Sequence, residues 1–274
     1  MTLRGFRLTY QILASLGLLF LLGAVLFGIQ VATDRRVVFF LADEQLYTEF
    51  FVFGVPLGMH LAGALEIIGL VLAAAGLLIG IMFSFRKTVS AEVSMIALWL
   101  LSVGFETVRL AVLLMSLKFT SIGMLGSLSR AVVGARFAGL ISLFISSLHA
   151  VGYGRDKLQN SYLLALLGGV ILAGFMPVSI DRFLPSFLLA TGYREISTVV
   201  IISIVLLSLI DYLVASRLRE EPSYALVGFA ISGAAASWIW LWDLRAPLSG
   251  LAAIACFMGL TALVLRKLHD IYIW

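Results

Sequence analysis

Residues 102–156 carry the sequence SVGFETVRLAVLLMSLKFTSIGMLGSLSRAVVGARFAGLISLFISSLHAVGYGRD. This stretch contains two long apolar segments, and it places Glu106, Arg109 and Arg136 within them. Segments of this length are typical of membrane-spanning helices, in which a charged side chain is rare and costly. The stretch therefore predicts a membrane protein that carries a cluster of charges inside its bundle of helices.

Composition extends this prediction to the whole chain. Of the 274 residues, 62% are hydrophobic and only 12% are charged, about half the charged fraction of a soluble domain. The apolar runs recur from end to end and lack the two-residue alternation of barrel strands. We therefore expect an all-α integral membrane protein. The net charge of +4 is attributed to basic helix ends and not to nucleic-acid binding.

Hydropathy predicts about eight transmembrane helices, which form one membrane domain over residues 1–274. Lys and Arg flank these spans more often on the side of the two termini, in tight pairs such as Arg4 with Arg7 and Arg266 with Lys267. Because positive charge collects on the cytoplasmic side, we expect a bacterial inner (plasma) membrane protein with both termini in the cytoplasm. The predicted spans are residues 10–31, 57–83, 93–117, 132–153, 162–180, 196–215, 224–241 and 248–265.

Two connections on the outer side resemble each other. Residues 31–41 and 178–188 share Val, Asp, Arg, Phe and Leu at matching positions. Each follows the first span of a block of four, which indicates an internal repeat with halves 1–157 and 158–274. In the longer connection, residues 32–56, the phenylalanines that include Phe50 and Phe51 predict a helix lying in the membrane interface. An ordinary loop folded over the bundle is the alternative.

Helix rise places the buried charges at one depth. At ~1.5 Å per residue, Glu66, Glu106, Arg109 and Arg136 all fall in the outer half of the membrane, within about two helical turns. Glu106 and Arg109 are three residues apart and share a helix face. This cluster has three interpretations: a structural salt-bridge network, arginines that extend to the interface, or a polar cavity in which an arginine holds an anionic or carboxylate group.

The aromatic residues near the end of the seventh span allow two interpretations as well. Trp238, Trp240 and Trp242 alternate along the chain beside Asp243. Tryptophan is enriched at the membrane interface, so an aromatic belt is expected. A stacking platform for a ligand is the alternative.

These features predict a protein that binds or transports a small polar or anionic solute, or a lipid headgroup, at Glu66, Glu106, Arg109 and Arg136. A membrane-embedded sensory or regulatory module, or a non-catalytic subunit of a larger membrane complex, would suit the same pattern. The lipid bilayer is the expected partner, together with a small anionic ligand and a membrane or cytoplasmic partner protein. The chain lacks the serine-hydrolase and zinc-protease motifs, and we expect no enzymatic activity, no metal and no cofactor.

Overall fold

In the part of the chain that the structure describes, eight helices are long and apolar enough to cross a membrane, which confirms the predicted multi-pass helical bundle. The computed structural model describes residues 3–33, 50–52, 55–57, 59–86, 88, 90–117, 122–153, 158–183, 186–243 and 247–273. The described helices are α1 (Leu3–Thr33), α2 (Met59–Ser84), α3 (Ala91–Gly104), α4 (Thr107–Leu117), α5 (Ile122–Val151), α6 (Leu158–Phe175), α7 (Arg194–Leu218), α8 (Ser223–Trp240) and α9 (Pro247–Ile273). Helices α3 and α4 together form one span, Ala91–Ser116.

Contacts between helix ends show that successive spans run in opposite directions. The Tyr10 hydroxyl near the start of α1 donates to the Ser90 carbonyl just before α3, at 3.3 Å. Arg219 after α7 donates to the carbonyl of His149, near the end of α5, at 3.2 Å. Ser146 near the end of α5 donates to the Glu92 carbonyl at the start of α3, and His269 near the end of α9 meets Phe85 just after α2. The end of the bundle where these contacts lie carries both termini, and we call it the terminal face. The other end is the opposite face.

The spans α3–α4 and α5 occupy the middle of the bundle, and the remaining helices surround them. Helices α3, α8 and α9 each contribute a large aromatic side chain to the core. Trp99, Trp238 and Phe257 are fully buried and pack with their rings 5.5–6.2 Å apart. The inner pair of spans also carries most of the buried charges, namely Glu92, Glu106, Arg109 and Arg136, because only residues facing protein can escape lipid.

Local sequence explains how the two inner spans begin and end. Ser90 caps α3, since its hydroxyl accepts a hydrogen bond from the Val93 amide at 3.2 Å, a typical N-cap contact. Helix α5 ends at Gly152, whose φ of 106° suits glycine. The Gly152 and Tyr153 amides donate to the His149 and Leu148 carbonyls, each at 3.0 Å, which is the Schellman pattern of a helix C-terminus.

Helices α5 and α6 pack closely at glycines. A Cβ atom on Gly169 would lie 2.5 Å from the Gly134 carbonyl oxygen and 2.7 Å from the Ala138 amide nitrogen. Such distances bring two backbones together without an intervening side chain, which is how helices associate in lipid. By contrast, a Cβ atom on Gly174 of the same helix would meet nothing within 4 Å.

Two short hairpins correct the predicted connections. Strands β1 (Phe50–Val52) and β2 (Val55–Leu57) pair antiparallel, so the predicted interfacial helix is wrong at Phe50 and Phe51. Aromatic and β-branched residues favour strands, and pairing satisfies their backbone groups locally. Strands β3 (Val178–Phe183) and β4 (Leu189–Thr191) form the second hairpin. The fifth span therefore ends at Phe175, earlier than predicted, because Pro177 cannot continue a helix.

Residues 34–49 carry most of the predicted interfacial helix and part of the predicted repeat, and they lie outside the described residues. The two-half organisation thus stays a prediction.

Candidate functional site

A break in the third span positions the first two charges. Helix α3 ends at Gly104 and α4 begins at Thr107, and the amides of Glu106, Val108 and Arg109 bond three residues back, at 3.0–3.1 Å. The Thr107 hydroxyl lies 2.9 Å from the Gly104 carbonyl oxygen and 3.0 Å from that of Phe20 on α1. A tighter turn inside a helix is frequent at functional hinges. Here it lies at the depth of the buried charges.

Glu106 is the centre of the cluster and is almost fully buried. Its two carboxylate oxygens accept from Arg136, with Nε–Oε1 and Nη2–Oε2 distances of 2.8 Å each. Oε2 also accepts from Arg109 Nη1 at 3.1 Å. One carboxylate therefore serves two guanidinium groups, and this triad alone carries one excess positive charge. Two-point pairing of this kind is strong and fixes orientation.

Arg109 is completely buried, and it donates hydrogen bonds to backbone carbonyls in two connections between helices. Its Nε donates to the Ser186 carbonyl at 2.8 Å. Its Nη1 and Nη2 donate to the Leu241 and Trp242 carbonyls, each at 3.2 Å. Together with Glu106, these acceptors use four of the five N–H groups that a guanidinium offers. Arg109 is thus committed to holding backbone segments in place.

The Ser186 carbonyl reaches Arg109 because the connection between β3 and β4 folds into the bundle. Phe187, Leu188 and Leu189 are each 5% exposed or less, and Phe187 adopts a φ of 62°. The Leu189 amide donates to the Ser129 hydroxyl of α5 at 3.2 Å. This inserted segment was not predicted from the sequence. The apolar run Phe187–Leu189, which follows Pro185 in a connection between spans, is the feature that could have indicated a buried loop.

Arg136 uses fewer of its guanidinium donors in hydrogen bonds than Arg109 does. Its guanidinium lies over the ring of Trp242, 4.6 Å from the ring centroid, and one edge is held by Glu106. Among the described residues, its Nη1 makes no hydrogen bond. The side chain retains 9% of its surface exposed. The residue therefore presents a fixed, positively charged donor edge.

Glu66 lies in the same half of the bundle, on α2, and is 5% exposed. Its carboxylate sits against Gly250 of α9 and is close enough to Arg109 for electrostatic attraction. Its Oε2 is buried and finds no hydrogen-bond donor in the described part of the chain. The structure thus brings Glu106, Arg109 and Arg136 into contact and leaves Glu66 beside them as a separate carboxylate.

The tryptophans do not form the expected belt. Trp238 is fully buried and stacks edge-on with Trp99 at 6.2 Å and with Trp242 at 5.3 Å. Only Trp240 is substantially exposed, at 49%. The aromatic-belt prediction is therefore wrong for Trp238, because α8 turns this residue toward α3. The result is a row of indole rings that leads from Arg136 into the bundle centre.

A second polar layer lies near the terminal face and was not predicted. Glu92 is 2% exposed and pairs with Arg219 at 3.6 Å. The Ser146 hydroxyl donates to the Glu92 carbonyl at 3.1 Å and lies 2.9 Å from the Tyr212 hydroxyl. Glu92 follows an N-cap serine in the sequence, so it resembled an ordinary helix-start residue. Its burial follows only from the convergence of helices α3, α5 and α7.

The cluster of Glu106, Arg109 and Arg136 has the charge needed to hold an anion. Its described residues include no nucleophile and no proton-transfer pair in an arrangement typical of catalysis. No protein-family model, curated protein or solved structure matches the chain. The geometry of the described residues therefore carries the functional argument.

Proposed function

We propose that this protein binds a small anionic group at Arg136, carried either by a free solute or by a lipid headgroup. The observation that carries the proposal is a guanidinium that Glu106 and Trp242 already hold in place and whose Nη1 makes no hydrogen bond among the described residues. A preorganised guanidinium loses little freedom on binding, and its planar donor edge matches a carboxylate or phosphate.

The charge balance supports an anion as the ligand. Glu106 is shared between two arginines, so the contacting triad has one positive charge in excess. A charge in a membrane interior is costly unless it is compensated. A bound anion at Arg136 would compensate it, and Glu66 is the nearby acidic group within the protein that could do the same.

Among proteins that bind anions, the break between α3 and α4 favours a carrier. Interrupted helices at a buried polar site are common in secondary transporters, where they line the substrate site and allow neighbouring segments to move. We place the protein in a bacterial inner membrane with both termini in the cytoplasm, so that Arg136 lies in the outer half. The basic residues of the terminal face support this orientation.

Binding is tested on the purified full chain in an uncharged detergent. Titration calorimetry would use inorganic phosphate, acetate, glycerol 3-phosphate and dispersed phosphatidylglycerol as probes. Arg136→Gln should weaken binding of the preferred probe by about tenfold or more, the loss expected for one charge-assisted contact. Arg130→Gln is the matched control, because Arg130 is exposed on the same helix. Equal binding by wild type and Arg136→Gln would overturn the proposal.

Transport is tested separately in vesicles of phosphatidylcholine. A carrier should move the radiolabelled preferred anion, and Arg136→Gln should not. Binding of the anion without its transport would show that the protein is a receptor and not a carrier. If binding is lost when the protein is separated from a co-purifying membrane partner, the protein is a subunit of a complex and not a carrier.

A further inference from the structure

A cavity lies between helices α2 and α9, near the terminal face and away from the charge cluster. Its volume is about 350 Å³, within the range of about 300–1,000 Å³ that ligand pockets occupy. The lining residues are Gly76, Leu77, Gly80, Ser84, Phe85, Ala262, Leu265, Arg266 and His269.

The two helices touch above and below this cavity and separate between. Nearer the opposite face, a Cβ atom on Gly69 would lie 3.3 Å from Ile254 Cδ1. At the terminal face, the rings of Phe85 and His269 meet edge-on at 5.7 Å. Between these contacts, Cβ atoms on Gly76 and Gly80 would meet nothing within 4 Å. The cavity is therefore a groove with a bare backbone floor, open to the surface that faces lipid.

The two ends of the groove differ in chemistry. The glycine backbone and leucine side chains line the part inside the membrane, whereas Ser84, Arg266 and His269 line the part at the terminal face. Arg266 is exposed, and among the described residues it makes no ion pair. The nearby acid, Asp270, is engaged by Lys267 at 3.9 Å. The groove thus has an apolar trough and a positively charged mouth.

We propose that this groove binds an anionic phospholipid. One acyl chain would lie along Gly76 and Gly80, and the headgroup phosphate would lie at Arg266, within reach of Ser84 and His269. Basic pockets between helices at the cytoplasmic surface bind anionic headgroups by charge, while the apolar groove would contact one acyl chain along its length. A zwitterionic lipid would fill the trough equally well, but its headgroup would be attracted less strongly to Arg266.

The test compares lipids and variants in the purified full chain. Thermal unfolding and native mass spectrometry would be measured in detergent with added phosphatidylglycerol or phosphatidylcholine of identical acyl chains. Phosphatidylglycerol should raise the unfolding temperature and remain bound in the gas phase, and phosphatidylcholine should do so less. Arg266→Gln should abolish this difference between the lipids. Gly80→Leu, which fills the trough, should reduce retention of both.

Two controls separate this site from general effects of lipid. Arg217→Gln removes an exposed arginine from the terminal face on another helix, and Gly174→Leu adds a side chain at an equally open glycine. Both should behave as wild type. Unchanged lipid preference in Arg266→Gln, or equal retention by Gly80→Leu and Gly174→Leu, would overturn the proposal. All comparisons are repeated in the Arg136→Gln background, which removes any phosphatidylglycerol held at the anion site, so the two sites can fail independently.

Discussion

Arg136 and Glu106 form a two-point ion pair across helices, with both nitrogen–oxygen distances at 2.8 Å. The pair joins α5 to the break between α3 and α4, inside the membrane-spanning region. Glu106 also binds Arg109, which in turn holds three backbone carbonyls. The cluster therefore has a structural part around Arg109 and a part around Arg136, whose Nη1 makes no hydrogen bond among the described residues.

Replacing Glu106 by Gln should be strongly destabilising. The change leaves two buried guanidinium groups without their shared counter-charge, and removal of one partner from a buried ion pair costs about 3–5 kcal/mol. Equilibrium unfolding in mixed micelles measures this loss. Glu66→Gln is the control, since Glu66 Oε2 makes no hydrogen bond among the described residues. A similar loss in both variants would contradict the central role of Glu106.

Replacing Arg109 by Gln should loosen two connections. The carbonyls of Ser186, Leu241 and Trp242 would lose their donor, and each unsatisfied buried group costs about 1–3 kcal/mol. Hydrogen exchange should accelerate at the Leu189 amide and near Trp242, and the free energy of unfolding should fall. In Arg130→Gln these amides should exchange at the wild-type rate. Unchanged exchange in Arg109→Gln would show that other contacts hold the connections.

Replacing Arg136 by Lys tests geometry at constant charge. An ammonium group cannot pair with both Glu106 oxygens and present a planar donor edge at the same time. Anion affinity should therefore fall by about tenfold, a change of roughly 1.4 kcal/mol, as measured by titration calorimetry. Arg130→Lys supplies the comparison on the same helix. Wild-type affinity in Arg136→Lys would mean that charge alone attracts the anion.

The α5–α6 interface should be sensitive to one methyl group. Gly169→Ala places a Cβ atom against the Gly134 carbonyl oxygen and the Ala138 amide nitrogen, and overpacking of this kind costs about 1–3 kcal/mol. Gly174→Ala adds the same atom to the same helix in open space and should cost nothing measurable. Thermal unfolding of the two variants compares them directly. A fall in the unfolding temperature of equal size in both would argue against close backbone packing.

The alternation of spans can be tested by cysteine labelling. Cys256 is the single cysteine, so a Cys256→Ala background carries one new cysteine at a time. With membrane-impermeant maleimide on intact bacterial cells, Arg194→Cys should react. Arg4→Cys and Arg217→Cys should react only after the membrane is permeabilised. Reaction of Arg4→Cys and Arg194→Cys from the same side would contradict the alternating arrangement.

Sequence reasoning succeeded where the controlling physics is local. The length of an apolar segment needed to cross a bilayer and the rise of a helix are properties of a single segment. They predicted eight spans, and they predicted that Glu106, Arg109 and Arg136 lie at one depth. The contacts among these three residues agree with that depth. A short hairpin such as Phe50–Leu57 was missed, because aromatic residues suit both an interfacial helix and a strand.

Residues that depend on several helices at once could not be placed in this way. Trp238 looked like an interfacial residue until the orientation of α8 brought it against Trp99. In the sequence, nothing distinguishes Glu92 from an ordinary acid in the first turn of a helix. In the structure it is buried by contacts with Ser146 of α5 and with Arg219 after α7. Nothing in a single segment specifies which neighbour will cover a given face.

From the sequence alone, this protein is a helical membrane bundle with charges in one half, because hydrophobicity and helix geometry act along the chain. Only the tertiary structure distinguished Arg109, which donates to three backbone carbonyls, from Arg136, whose Nη1 makes no hydrogen bond among the described residues. The physical reason is that both arginines carry the same charge at the same depth. Their roles differ only through the acceptors that distant segments, at Ser186 and Leu241, bring to one of them.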